Sequence, residues 1–169
     1  MPSPTPPPYV PTDPEAFKVE FGKDTESFTA RLVAARAFSK GERIGSLSQS
    51  HPSSVPVYST VQVGQGEHVE LDSDLRYTNH SCRPSTIFDT TAMEVRAARD
   101  LAPGEELTYF YPSTEWKMAQ AFPCWCGSDQ CIGEVRGAFD LPSHTLQTHT
   151  LNAHIHELVQ DQGHEAPSN

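Results

Sequence analysis

Apolar and polar positions alternate with a period of two through much of the first two-thirds of this chain. AFKVEF alternates from Phe17 to Phe21, the pattern of a half-buried strand. ARLVAARAF (30–38) and VPVYSTVQV (55–63) are apolar or β-branched runs of strand length. GQGEH, from Gly64 to His68, reads as a hairpin turn between VQV and HVEL. TIFD and MEVRAAR predict a further strand pair. FSKGERIGSL (38–47) and LAPGEELTYF (101–110) repeat one pattern. In each a Gly-Glu turn launches an apolar strand, so similar turns are expected.

After residue 112 the texture changes. STEWKMAQAF predicts a short helix capped by Ser113 or Thr114. LPSHTLQTHTLNAHIHELVQ (141–160) sets Leu146, Leu151, Ile155 and Leu158 at roughly helical spacing, with Ser143 as candidate N-cap. Five of the eight histidines lie at 144 or beyond, including His154-x-His156. They fit either a second metal site or, the commoner case, the polar side of a packing helix. The N-terminus, MPSPTPPPYVPTDP, carries seven prolines before Glu15 and reads as an extended, disordered arm. It has neither the charged nor the apolar region of a signal peptide.

With 169 residues the chain can bury one real core. Its formal net charge of −10 argues against direct nucleic-acid binding, which needs a basic face, and suits a basic, Lys/Arg-rich partner. No run approaches the roughly 20 apolar residues that span a membrane. Four cysteines without a secretion signal point to a reducing, intracellular compartment, cytoplasmic or nuclear, where clustered thiols bind metal.

Three of those cysteines fall within CWCGSDQC, as Cys124-x-Cys126-x4-Cys131, with Gly127 easing a tight turn between them. Structural zinc sites close with four ligands, sulfurs standing at about 2.3 Å. The one other cysteine is Cys82, in YTNHSCRPS.

YTNHSCRPS, GEELTYFY and CWCGSDQCIG resemble, in that order, the signature motifs of SET-domain protein-lysine methyltransferases. The family pattern is an R-F-x-N-H-S-C-x-P-N box, a G-E-E-L-T-x-D-Y strand and a C-x-C-x4-C post-SET tail. The likeness runs from about residue 27 to 137. It implies that Cys82 joins Cys124, Cys126 and Cys131 on one structural zinc ion. It implies a mainly β fold with minor α: a SET-domain β-clip with a pseudoknot, a zinc-bound post-SET segment and a C-terminal helix. The expected layout is an arm (1–14), a SET domain (15–115), a post-SET segment (116–137) and a helix with tail (138–169).

The implied reaction is methyl transfer from S-adenosylmethionine (SAM) to a lysine amine of a basic protein or peptide, such as a histone. A free lysine has a pKa near 10.4, so presenting it neutral near pH 7.4 costs about 4 kcal/mol. An apolar aromatic channel and the adjacent sulfonium both disfavour the ammonium form. By resemblance, Tyr111 holds the place of the catalytic tyrosine, and Tyr109 the place that sets how many methyls are added. Asn79 and His80 are expected to touch the cofactor. Trp125, between two zinc ligands, either covers the cofactor or packs.

The chain departs from the pattern at several places. Thr29 and Arg31 stand where the family has G-x-G, beside the methionine end of SAM, and Arg31 is placed to pair with its carboxylate. Phe110 replaces an Asp, and Ser85 replaces the last Asn of its box. These changes, with the small size, leave two rivals to protein-lysine methylation. One is a SET scaffold working on a small molecule. The other is a non-catalytic, zinc-stabilised binding module.

Overall fold

The computed structural model describes residues 9–22 and 30–161. The alternating pattern becomes short strands among them. β1 (Phe17–Glu20) pairs antiparallel with β2 (Arg31–Ala34). β3 (Arg43–Ser46), β4 (Ser50–Ser53), β5 (Thr60–Gly64) and β6 (Glu67–Leu71) follow. β4, β6 and β5 form one antiparallel sheet, in that order, and the β5–β6 hairpin turns where GQGEH predicts it. β7 (Asn79–His80) is followed by β8 (Thr86–Asp89) and β9 (Glu94–Ala97), the TIFD/MEVRAAR pair, which joins β3. β10 (Thr108–Tyr109) pairs in parallel with β7. β11 (Phe122–Pro123) pairs with β12 (Glu134–Val135).

The two Gly-Glu turns adopt one geometry, with φ of 82° at Gly41 and 85° at Gly104. In each, the glutamate side chain accepts the N–H three residues back, Glu42 from Ser39 and Glu105 from Ala102. Each glutamate also pairs with the arginine six residues back, Arg36 or Arg99. The residues that open the two turns, Phe38 and Leu101, bridge each other through reciprocal backbone bonds of 3.0 and 2.8 Å. The sequence repeat is thus a paired structural unit.

Two apolar clusters result. The larger centres on Phe17, Leu32, Leu47, Leu71, Leu75, Phe88 and Leu107. The second gathers Phe110, Trp116, Ala138, Leu141, Leu146 and Ile155, and Leu151 and Leu158 pack on it.

Three expectations are corrected. The segment from Ser113 forms no helix: a 3-10 turn, Tyr111–Ser113, is followed by irregular chain. The carbonyls of Glu115 and Trp116 accept instead from the N–H groups of Ala138 and Phe139. Gly137 permits that contact, since a Cβ there would stand 2.2 Å from the Trp116 oxygen. The long C-terminal helix is two pieces, α1 (Ser143–Leu146) and α2 (Ala153–Asp161), and Pro142 rather than Ser143 holds the cap position of α1. The chain breaks between them because Asn152 enters the core. The N-terminal arm is exposed but tethered where it is described, and residues 1–8 lie outside the described residues. Tyr9 donates its hydroxyl to Asp74 at 2.5 Å, and Thr12 exchanges two hydrogen bonds with the same buried aspartate.

Asn152 ties the C-terminal segment to the β-rich body. Its Nδ2 donates to the carbonyls of Phe88 and Ser113, both at 2.8 Å, and its Oδ1 accepts the Thr90 N–H at 2.9 Å. Asn152→Ala leaves these buried groups unpaired, at about 1–3 kcal/mol each. The expected loss is about 3 kcal/mol or more, a fall of roughly 6–12 °C in melting temperature. Thermal denaturation checks this, and a fall under about 2 °C would contradict it.

Candidate active site

The parallel ladder of β7 and β10 sets Asn79 opposite Thr108 and His80 opposite Tyr109. Ser85, in the place of the family's Asn, supports it: its hydroxyl donates to the Glu106 carbonyl at 2.8 Å and accepts the Thr108 N–H at 2.8 Å. The chain then turns at Tyr111–Ser113, and the Tyr111 hydroxyl donates to the Thr78 carbonyl at 3.0 Å. Tyr109 stacks on Phe88 with ring centroids 3.9 Å apart, and the two tyrosine rings are 4.6 Å apart.

Both tyrosines line a cavity of about 480 Å³. Leu71, Leu75 and Phe88 give it apolar walls, and segments 56–61 and 118–122 contribute to its sides. Asn79 also reaches it, with its amide nitrogen held by the Ala30 carbonyl and the Glu106 carboxylate, both at 3.1 Å. Burial, reinforced by neighbouring acidic groups, pushes the hydroxyls of Tyr109 and Tyr111 well above the ordinary phenol range. They are neutral phenols at physiological pH.

Glu115, which the sequence motifs do not single out, lines the same cavity and is only 7% exposed. Its Oε1 accepts the Gln62 N–H at 2.7 Å and the Thr114 hydroxyl at 3.1 Å. Burial raises its pKa to about 7, against the lowering effect of those hydrogen bonds. A carboxyl raised in this way favours the folded state most below its ordinary value near 4.5. That contribution, about 3 kcal/mol, is lost as pH climbs through about 7. The missed signal was an acidic residue between Thr114 and Trp116; within a helical first turn it would have been unremarkable.

The four cysteines meet. Their sulfurs all lie within 4.8 Å of one another, and Cys82 Sγ stands 3.8 Å from Cys124 Sγ. A tetrahedron with zinc–sulfur bonds of about 2.3 Å has edges of about 3.8 Å. The Ile132 N–H points at Cys82 Sγ and the Gly133 N–H at Cys131 Sγ, each at 3.4 Å. Burial pushes the Cys82 thiol well above its ordinary range, so its thiolate form calls for a cation. These residues fit a structural zinc ion. Among the described residues no histidine joins a metal-sized cluster. His154, expected on a polar helix face, is buried with Nε2 2.7 Å from the Thr114 carbonyl.

His80 links the two centres. Its Nδ1 accepts the Tyr111 N–H at 3.2 Å, so the ring proton sits on Nε2, 3.4 Å from Cys82 Sγ. Burial lowers its pKa to about 4, and the ring is neutral. Phe110 stacks on His149 at 3.7 Å, and His149 Nε2 donates to the Cys82 carbonyl at 2.9 Å. The residue that departs from the family pattern therefore anchors the C-terminal segment behind the cysteine cluster.

Two candidate residues stand apart from the cavity. Arg31 makes two hydrogen bonds to Glu20, its cross-strand partner, at 3.0 and 2.7 Å. Trp125 is 84% exposed. Thr29 lies outside the described residues.

A SET domain family model matches residues 29–112. Methyltransferase flvH of Aspergillus flavus is 43% identical over 152 residues, 88% of this chain and 84% of that protein. The chain belongs to the SET-domain methyltransferase family. The H3 lysine-36-specific histone methyltransferase of Schizosaccharomyces pombe is 37% identical over 82 residues. That match spans 43% of this SET methyltransferase but 10% of the yeast protein. Among solved structures, KRYPTONITE in complex with mCHG DNA and SAH aligns with a TM-score of 0.52 and 16% identity. The alignment covers 70% of this chain and 29% of that one, and shows the shared fold. Among the described residues no helix is long and apolar enough to cross a membrane.

Replacing Cys82 by Ser tests the shared metal site. The native protein is expected to carry one zinc ion per chain by native mass spectrometry. Cys82→Ser is expected to lose it or to melt at a sharply lower temperature. Unchanged zinc content in the variant would rule Cys82 out as a ligand.

Proposed function

We propose that this SET methyltransferase moves a methyl group from SAM to the primary amine of a lysine-type side chain. The observation that carries this reading is the convergence of two neutral phenols, Tyr109 and Tyr111, in one largely apolar cavity. Bound SAM supplies an electrophilic methyl on a sulfonium. Apolar walls disfavour the ammonium form of the acceptor and keep water from competing. The Tyr111 hydroxyl is held by the Thr78 carbonyl and keeps its oxygen lone pairs for the acceptor. Asn79 and His80 hold the donor where β7 meets the cavity. Arg31 is engaged by Glu20 and Trp125 is exposed, so cofactor contact rests on Asn79 and on the backbone of His80, whose ring nitrogens are both engaged.

A zinc ion held by Cys82, Cys124, Cys126 and Cys131 would be structural, clamping the tail to the SET body through Cys82. No disulfide joins the four cysteines, which leaves every sulfur available to a metal. The acceptor amine belongs either to a lysine of a basic protein, which the net charge of −10 suits, or to a small free amine. Glu115 favours the second. A purely binding role leaves the two phenols in the cavity without a task.

Two substitutions and one titration test the reading. Calorimetric titration is expected to show micromolar SAM binding, and absence of binding would overturn methyl transfer. Tyr111→Phe is expected to keep the fold and lose roughly 10²-fold or more in turnover, the scale of a lost active-site donor. Tyr109 fills the space a first methyl needs, so the wild type is expected to stop mainly at one methyl. Tyr109→Phe is expected to shift products toward two or three at comparable turnover. Mass spectrometry over a long time course reads both, and an unaltered product ratio would show that Tyr109 does not gate the site.

A further inference from the structure

Glu115 is a buried carboxylate without a cation. Among the described residues no ion pair includes it, and both of its hydrogen bonds fall on Oε1. Oε2 accepts none, although the residue lines the cavity. A buried carboxylate left unpaired is costly. Thr78 lines the same cavity and is 3% exposed, and its hydroxyl is buried without a hydrogen-bond partner. A carboxylate with an unspent oxygen, near two phenols in a largely apolar pocket, describes a receptor for an alkylammonium group. The cavity volume, about 480 Å³, is of the size that encloses a small ligand.

We propose that Glu115 is a catalytic carboxylate of the acceptor site: it receives the ammonium of a small aliphatic amine held within the cavity and takes the proton that must leave before methylation. This rests on the amine-methyltransferase reading above and adds to it the acceptor class and a base. The acceptor's alkyl stem lies along Leu71, Leu75 and Phe88, and its ammonium meets Oε2. R–NH3⁺ gives one proton to Oε2, leaving R–NH2 and a neutral carboxylic acid. The amine lone pair forms the C–N bond as the donor's C–S bond breaks. The products are R–NH2–CH3⁺ and S-adenosylhomocysteine, and the acid returns its proton to solvent as the product leaves. A carboxyl that titrates near neutrality, as burial makes this one, can both take and release that proton. The groups around it do not share the task. Tyr109 and Tyr111 stay protonated, Arg76 lines the cavity but makes no ion pair with Glu115, and His154, on the Thr114 carbonyl, is kept neutral by burial.

Glu115→Gln is the decisive variant, because its amide oxygen can still accept from Gln62 and Thr114. Wild type and variant are assayed as the full chain, with SAM and, separately, n-pentylamine, free L-lysine and a short lysine-containing peptide. The wild type is expected to methylate the two small amines, with kcat rising through neutral pH. Glu115→Gln is expected to lose that rising limb and about 10²-fold or more in kcat, the lower range for a lost proton acceptor. Its calorimetric SAM affinity should persist, and its melting temperature should not fall. Small-amine turnover with an unaltered rate and pH profile in the variant would remove Glu115 from the chemistry. Methylation of the peptide alone would overturn the small-amine class while leaving the amine-methyltransferase reading intact. No methyl transfer to any of the three, with SAM bound, would overturn both. Should Glu115→Gln unfold, Glu115→Asp is read instead: a shortened carboxylate is expected to keep the rising limb at reduced kcat, and a flat profile would overturn the proposal.

Discussion

The two-residue parallel ladder between Asn79–His80 and Thr108–Tyr109 is the constraint on which the site depends. A parallel pair this short contributes little by itself. It holds because Ser85 and Thr86 bond the Thr108 backbone and because His80 accepts the Tyr111 N–H. From that crossing everything functional is reached in a few residues. Thr78 precedes it and carries the Tyr111 hydroxyl; Cys82 follows it and meets the tail; Glu115 lies one turn beyond Tyr111.

The cysteine cluster and the cavity are therefore mechanically joined. His80, with its proton on Nε2, touches Cys82 on one side and fixes the Tyr111 backbone on the other. Behind the cluster, Phe110 and His149 stack, and Asn152 locks the C-terminal segment to the β8–β9 turn. A charged Asp at position 110 would have been isolated in that apolar cluster; phenylalanine makes it an anchor. A metal ion on the four cysteines would thus couple folding of the tail to the shape of the cavity.

Glu115 shows the opposing demands of stability and function. Its burial weakens the fold as the carboxyl ionises, yet it puts a carboxylate that no cation pairs near the phenols. Groups held in costly states of this kind mark functional sites more often than structural ones.

The strand pattern, the β5–β6 hairpin, the paired Gly-Glu turns and the family were legible in the sequence. They rest on local signals: period-two alternation, glycine at positive φ, and short motifs of fixed spacing. The four thiols could be counted, and the resemblance assigned the fourth. Other features were decided only in three dimensions. The helix expected after Ser113 is absent because Gly137 lets residues 138–139 claim its carbonyls. The C-terminal helix breaks because four buried polar groups outrank the local preference of residues 147–152. Arg31 turns to Glu20 through strand register, which no motif encodes. Glu115 and Thr78 lie 37 residues apart in the chain numbering and share one cavity. Period and spacing report what neighbours along the chain impose; burial and unmet hydrogen bonds are set by residues brought from elsewhere, and those define the acceptor site.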